Sequence, residues 1–161
     1  MSDHWLEHTC QTLVPADVDV VWSLWADLTL MPRWMTWVRS VEILDEELSR
    51  WTLDARGLTF NWISRTHTVI PHQIIAWESE SGLHNRGALR FYDRKAEGTI
   101  VKLSVAYSLP AWLGKLMDRL FIGQAVESNI QDSLERFSTY VREHPTADLR
   151  AVAPSSSSAS L

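Results

Sequence analysis

The stretch Val101-Lys102-Leu103-Ser104-Val105-Ala106-Tyr107-Ser108-Leu109-Pro110 decides the fold. Val101, Leu103, Val105 and Tyr107 alternate with Lys102, Ser104 and Ala106, the period-two pattern of a strand with one buried face. Pro110 ends the alternation, and from Ala111 to Glu143 the spacing turns helical. Leu113, Leu116, Leu120, Val126, Ile130, Leu134, Phe137 and Val141 carry it. Unbroken, that helix would span roughly 50 Å at 1.5 Å per residue, more than a small domain is wide. A break or bend is therefore expected, near Gly123. The first segment, Trp112 to Ile122, is apolar on more than one face and is the piece expected to move or to touch a membrane.

Upstream, the same two periods set the order of elements. His4 to Val14 reads as a first strand that Pro15 ends. Val18, Val21, Trp22, Trp25 and Leu28 then recur at helical spacing, with Asp17 and Asp19 at the end of the helix that favours negative charge. Pro32 confines Leu30 to Met35 to a short helix or structured loop. From Trp37 to Tyr107, six alternating runs are separated by turn signals. These are Asp45-Glu46-Glu47, Gly57, Pro71-His72, the loop from Ser81-Gly82 to Gly87, and Ala96-Glu97-Gly98. The predicted fold class is α+β: a curved antiparallel sheet of about seven strands wrapped around one long C-terminal helix, with two short helices after the first strand. Such a sheet buries one face only against that helix. The gap between them is filled by large side chains or by a ligand. Residues 1–145 form the domain, and 146–161, ending in Ser155 to Ser158, read as a disordered Ser-rich tail.

Composition narrows the function. The chain has 161 residues, 45% of them hydrophobic and 22% charged, so one domain with a real core is expected. A formal net charge of −5 without a basic run argues against phosphate-directed nucleic-acid binding and against strong electrostatic docking on anionic lipid. Cys10 is the single cysteine, so no intrachain disulfide forms. It is expected as a small buried residue of the first strand. The N-terminus lacks a signal peptide, and no apolar run reaches the ~18 residues of a membrane span. A cytoplasmic protein, peripheral to a membrane at most and a monomer or weak dimer, is expected.

The pieces together resemble the START-like (SRPBCC) polyketide cyclase/dehydrase and coenzyme Q-binding family, over about residues 4–143. Val14-Pro15-Ala16-Asp17 leading to Val21-Trp22, Pro32-Arg33-Trp34-Met35 and Leu58-Thr59-Phe60-Asn61-Trp62 carry the resemblance. Ile75-Ala76-Trp77-Glu78-Ser79, Gly87-Ala88-Leu89-Arg90-Phe91, Val105-Ala106-Tyr107-Ser108-Leu109-Pro110 and Leu134-Glu135-Arg136-Phe137 continue it. Leu48-Ser49-Arg50-Trp51 and Asn85-Arg86-Gly87 look like the cyanobacterial and chloroplast branch. The resemblance implies a helix-grip fold and a cavity for a lipid, isoprenoid quinone, pigment precursor or polyketide. It supplies no universal catalytic residue.

Nine tryptophans are the strongest chemical signal. Trp37, Trp51, Trp62, Trp77, Phe91 and Tyr107 fall on the apolar parity of their strands. Two readings stay open, a closed aromatic core and a cavity wall. With Leu116 and Leu120 they form the expected ligand-binding wall. Met31, Trp34, Met35 and Trp112 are the expected entrance. Arg65 and His67 share a parity and are candidate polar contacts, although Phe60 and Trp62 have the opposite one, which points them to solvent. No metal site is expected. His4 and His8 lie roughly 13 Å apart along a strand, and His67, His72, His84 and His144 lack zinc spacing. No nucleophile elbow, phosphate loop or dinucleotide fingerprint is present, and no cofactor is expected. The leading reading is a non-enzymatic binder or carrier of a hydrophobic small molecule. A cyclase, aromatase or dehydratase needing an inward polar group, and an interaction module with a filled core, are the alternatives.

Overall fold

The computed structural model describes residues 5–144, and the expected tail from 146 onward lies outside them. Seven strands make one antiparallel sheet in the order β1-β7-β6-β5-β4-β3-β2. They are β1 (Trp5–Val14), β2 (Val38–Ile43), β3 (Leu48–Ala55), β4 (Leu58–Ile70), β5 (Ile74–Gly82), β6 (Asn85–Asp93) and β7 (Thr99–Ser108). Strands β2 to β7 are a meander. β1 returns to the far edge, and its partner is β7. The helix α1 (Val18–Ala26) and a 3₁₀ turn (Leu28–Arg33) carry the chain from one edge of the sheet to the other. The helices α2 (Ala111–Leu116) and α3 (Arg119–Glu143) follow the last strand. This is the helix-grip arrangement expected from the sequence.

Curvature has a local cause. β4 meets β5 with two register shifts, one between Ile63 and Ser64 and one between Thr66 and Thr68. Each inserts one unpaired residue, Glu80 on β5 and His67 on β4, and such bulges bend and twist a strand. At the β6–β7 turn, Gly98 has φ +117°, and a Cβ there would stand 2.1 Å from the Val14 carbonyl oxygen. Only glycine permits that approach. Beside it, the buried Thr99 hydroxyl donates to the Ala16 carbonyl at 2.9 Å and fastens the end of β1 to the start of β7.

The tightest core lies at the C-terminal end of α3. The rings of Trp25, Trp34 and Phe137 form a triangle with centroids 4.7 to 5.2 Å apart, and all three are buried. Leu24, Val14, Val21, Leu134 and Val101 close around them. The indole N–H groups of Trp25 and Trp34 have no partner among the described residues, a cost that dense aromatic packing offsets. Arg33 adds an outer tie, donating to the Tyr140 phenol at 3.1 Å.

The helix break falls earlier than expected. Met117 takes extended backbone angles, and the Asp118 carboxylate accepts from the Leu120 N–H at 2.8 Å, capping a new helix. Gly123 stays helical inside α3. A side-chain cap outweighed the single glycine as the breaking signal.

Truncating the triangle tests this anchoring. Phe137→Ala is expected to lower stability by about 3–5 kcal/mol in urea denaturation. A loss below about 1 kcal/mol would show that the triangle does not hold α3 in place.

Candidate functional site

The N-terminal half of α3 is tied to β1, by Arg119 on the Trp5 carbonyl and Glu127 on His8, and leaves a cavity of about 250 Å³ over the other strands. That is just under the roughly 300–1,000 Å³ common for small-molecule sites. The inner faces of β3, β4, β5 and β7 make the floor. α2 and α3 make the roof, and the 3₁₀ turn with Met35 and Trp37 makes one side. The walls are almost wholly apolar.

Five of the six aromatic residues expected on the wall line this space: Trp37, Trp51, Trp62, Trp77 and Tyr107. Trp51 and Trp62 stack face to face at 5.8 Å, with their planes 10° apart, because they are cross-strand partners of β3 and β4. The Trp51 indole N–H donates to the buried Ser49 hydroxyl at 2.9 Å. Trp77 lies across β6, where a Cβ on Gly87 would stand 2.5 Å from its ring. Its N–H donates to the Asn85 carbonyl oxygen at 3.2 Å, and the Asn85 amide donates to the Leu83 carbonyl at 2.9 Å. The wall thus offers ring faces while these two indole N–H groups are used within the protein.

Other expected site residues lie elsewhere. Phe91 is buried but meets Trp22 edge-on at 5.2 Å and does not border the cavity. Leu116 and Leu120 are 71% and 69% exposed, because the helical phase sends Leu113 and Ile122 inward instead. Trp34 belongs to the buried triangle and forms no entrance. Met31 and Met35 do border the cavity, but Met31 is buried and serves as wall. Trp112 is half exposed and stacks on Phe60 at 6.2 Å. Close by, the Arg56 guanidinium sits 5.6 Å over the Phe121 ring, and both residues are exposed and border the cavity. The mouth is therefore at the β3–β4 turn and the α2–α3 junction.

Arg65 and His67 face out. Arg65 binds Glu47 at 2.5 Å and also Glu80, and its hydrogen bond, with its charge second, draws the Glu80 carboxyl below the usual range. His67 is exposed beside the Thr68 hydroxyl at 2.8 Å. The inward positions of β4 between and before them are Ser64 and Thr66, which continue the parity of Phe60 and Trp62.

Tyr107 was expected on the wall, but its partners His8 and Glu127 escaped the sequence reading. Tyr107 borders the cavity, and its phenol oxygen is 2.9 Å from His8 Nε2. His8 Nδ1 is 3.0 Å from Glu127 Oε1 on α3. His8 and Tyr107 are buried, while Glu127 reaches solvent. Burial, foremost, raises the Tyr107 phenol above its ordinary pKa, so it stays protonated. His8 shares the inward parity of Leu6 and Cys10, and that was the available signal. Burial, and secondarily Glu127, also raises the Cys10 thiol. Among the described residues, no group of three His, Cys, Asp or Glu side chains is placed to hold a metal ion, and no helix is long and apolar enough to cross a membrane.

The raised Cys10 pKa has a direct readout. At pH 8 the folded protein holds less thiolate than an unfolded chain, so a disulfide reagent such as DTNB is expected to label it about tenfold or more slower than in urea. Equal rates would show an accessible thiol.

The family model described as polyketide cyclase / dehydrase and lipid transport matches residues 14–135. No curated protein sequence matches the chain. Among solved structures, the Zhui aromatase/cyclase from Streptomyces sp. R1128 aligns with a TM-score of 0.75 at 24% identity, covering 89% of this chain and 98% of that one. A Deinococcus radiodurans protein aligns at 27% identity and TM-score 0.66, over 83% and 95%. A START superfamily protein from Mycobacterium smegmatis aligns at 12% identity and TM-score 0.69, over 87% and 98%.

Proposed function

The chain belongs to the polyketide cyclase / dehydrase and lipid transport family, and from that premise we propose that it binds a hydrophobic small molecule in the cavity under α3. The carrying observation is the cavity itself: about 250 Å³ of open space walled by five indoles and a phenol. Apolar burial contributes about 2.5 kcal/mol per 100 Å² at ~25 cal/mol per Å², before association costs. A flat ring fits the stacked Trp51–Trp62 face. A longer tail, as on an isoprenoid quinone, lipid or pigment precursor, would leave by the mouth between Arg56 and Phe121. The quinone-binding, cyanobacterial and chloroplast likeness of the sequence favours such a ring with a tail. The open space counts against an interaction module with a filled core.

The reading extends to how the ligand arrives. Trp112, Leu116, Leu120 and Phe121 are all exposed at the mouth, and Lys115 and Arg119 lie on the same segment. We propose that this patch rests on a membrane surface while the ligand passes. A second reading, an aromatase/cyclase that folds a polyketide chain, draws on the inward Tyr107 and on the fold shared with the Streptomyces enzyme.

Two experiments test this function. Ala125 borders the cavity from α3. Ala125→Trp is expected to fill the space and weaken binding of an apolar probe, 2-methylnaphthalene, at least about tenfold, with the fold kept. Calorimetry showing unchanged affinity would place the site elsewhere. Leu116→Glu with Leu120→Glu is expected to reduce co-sedimentation with phosphatidylcholine–phosphatidylglycerol vesicles, with little change in melting temperature, since both positions are surface ones. Undiminished co-sedimentation would remove the membrane step and leave the binding cavity standing.

A further inference from the structure

The chain of side chains behind the cavity wall fixes more than position. Glu127 Oε1 reaches solvent, and its carboxylate only accepts. It therefore accepts the hydrogen bond that His8 Nδ1–H donates, at 3.0 Å. In the neutral imidazole, Nε2 is then the acceptor. Tyr107 supplies the hydrogen, its O–H donating to Nε2 at 2.9 Å. The two rings lie nearly parallel at 5.6 Å, which holds this alignment. A phenol whose proton points into the wall presents its oxygen lone pairs to other partners.

The indole N–H groups and Arg56, at the mouth over the Phe121 ring, also border the cavity as fixed donors, but the remaining polar groups set no polarity. The Asn85 amide has its oxygen on Trp77 and its nitrogen on Leu83, and Asn129 donates to the Thr36 hydroxyl. The hydroxyls of Ser64 and Thr66 rotate and take either role. Tyr107 alone among these is tied to a histidine whose tautomer a carboxylate selects.

We infer that Tyr107, His8 and Glu127 form a polarity-setting anchor, so that the cavity selects apolar molecules bringing a hydroxyl donor, such as a phenol, hydroquinone or alcohol, over molecules of the same shape bringing only an acceptor. This rests on the cavity being the ligand site, and of a quinone pair it narrows that reading to the reduced, hydroquinone form. Tyr107 is the contacting residue. His8 and Glu127 are positioning residues that act through it. A hydroxyl on the ligand donates to the Tyr107 oxygen and extends the chain by one bond, from ligand to Tyr107 to His8 to Glu127. A ketone or ether oxygen in its place meets a lone pair and leaves two acceptors facing each other, a desolvation cost without return.

Three two-ring probes test it by calorimetry on the full chain: 2-naphthol, 2-methoxynaphthalene and 2-methylnaphthalene. The wild-type protein is expected to bind 2-naphthol about three- to tenfold tighter than its methyl ether, the worth of one net hydrogen bond. Tyr107→Phe keeps the ring and is expected to abolish that preference, 2-naphthol falling to the affinity of its methyl ether. Glu127→Leu alters an exposed position, so folding is retained. It is expected to shrink the preference because His8 regains its choice of tautomer. Equal binding of naphthol and ether by the wild type would overturn the anchor alone, as would a preference that survives Tyr107→Phe or Glu127→Leu. Failure of all three probes to bind, or binding that Ala125→Trp does not block, would overturn the cavity reading along with it.

Discussion

One constraint organises the molecule: a single long helix must cover the concave face of a curled seven-stranded sheet, and it is anchored at one end. Phe137 is clamped between Trp25 and Trp34, and Leu134 and Val141 lie on the same face of α3. From that anchor the helix runs outward while the sheet curls beneath it. Ile130, Val126, Ile122 and Phe121 border the space that opens between helix and sheet. The cavity is the wedge that a straight rod and a curved surface leave between them. Packing one end to a density near that of organic crystals, with rings as large as indole, fixes the angle of the rod. The open end then needs no dedicated scaffold of its own.

Indoles suit such a wedge because they bring large flat area on stiff side chains. Their N–H groups are the difficulty, since a donor left in an apolar cavity costs about 1–3 kcal/mol. At the cavity, Trp51 and Trp77 resolve it by turning their N–H groups into the sheet, toward Ser49 and Asn85. Gly87 makes the second of these geometrically available by leaving room for the Trp77 ring across β6. In the anchor, where Trp25 and Trp34 find no partner, the cost is borne by packing. The same residue type thus plays two roles, and the difference lies in a polar neighbour, on the same strand for Trp51 and on the adjacent strand for Trp77.

Much of this was legible in the sequence, because periodicity reports on faces. The alternation through Tyr107 and the helical spacing after Pro110 are enough to set a sheet against a helix. Parity alone places Trp37, Trp51, Trp62 and Trp77 on one inner surface. Parity also placed Phe91 there, but it does not say how far along the sheet the wedge extends. Phe91 lies at the α1 end, where Trp22 already fills the space. Leu116 and Leu120 were misplaced for a related reason. Their spacing was read through one continuous helix, and the interruption at Met117 resets the phase. His8 and Glu127 lie on opposite ends of the chain, and no local pattern announces that β1 and α3 bring them together. Long-range pairing of polar groups is where single-sequence reasoning loses its grip.

The interruption at Met117 also explains why the mouth is where it is. A helix continuous from Ala111 would carry its apolar stripe straight over the sheet and extend past it. Capping by Asp118 instead redirects the chain, and Phe121 and Ile122 come to border the cavity while Leu116 and Leu120 turn outward. Exposing two leucines forgoes about 1.5–3 kcal/mol each relative to full burial. That loss is concentrated beside the opening, next to Trp112 and to the Arg56–Phe121 contact, rather than scattered over the surface. A fold that needed only a lid would have turned those leucines inward, since the cavity beneath has room for them. Their outward placement leaves the space below empty and the rim above apolar, which is the arrangement a hydrophobic solute requires to pass from one apolar environment to another without crossing open water.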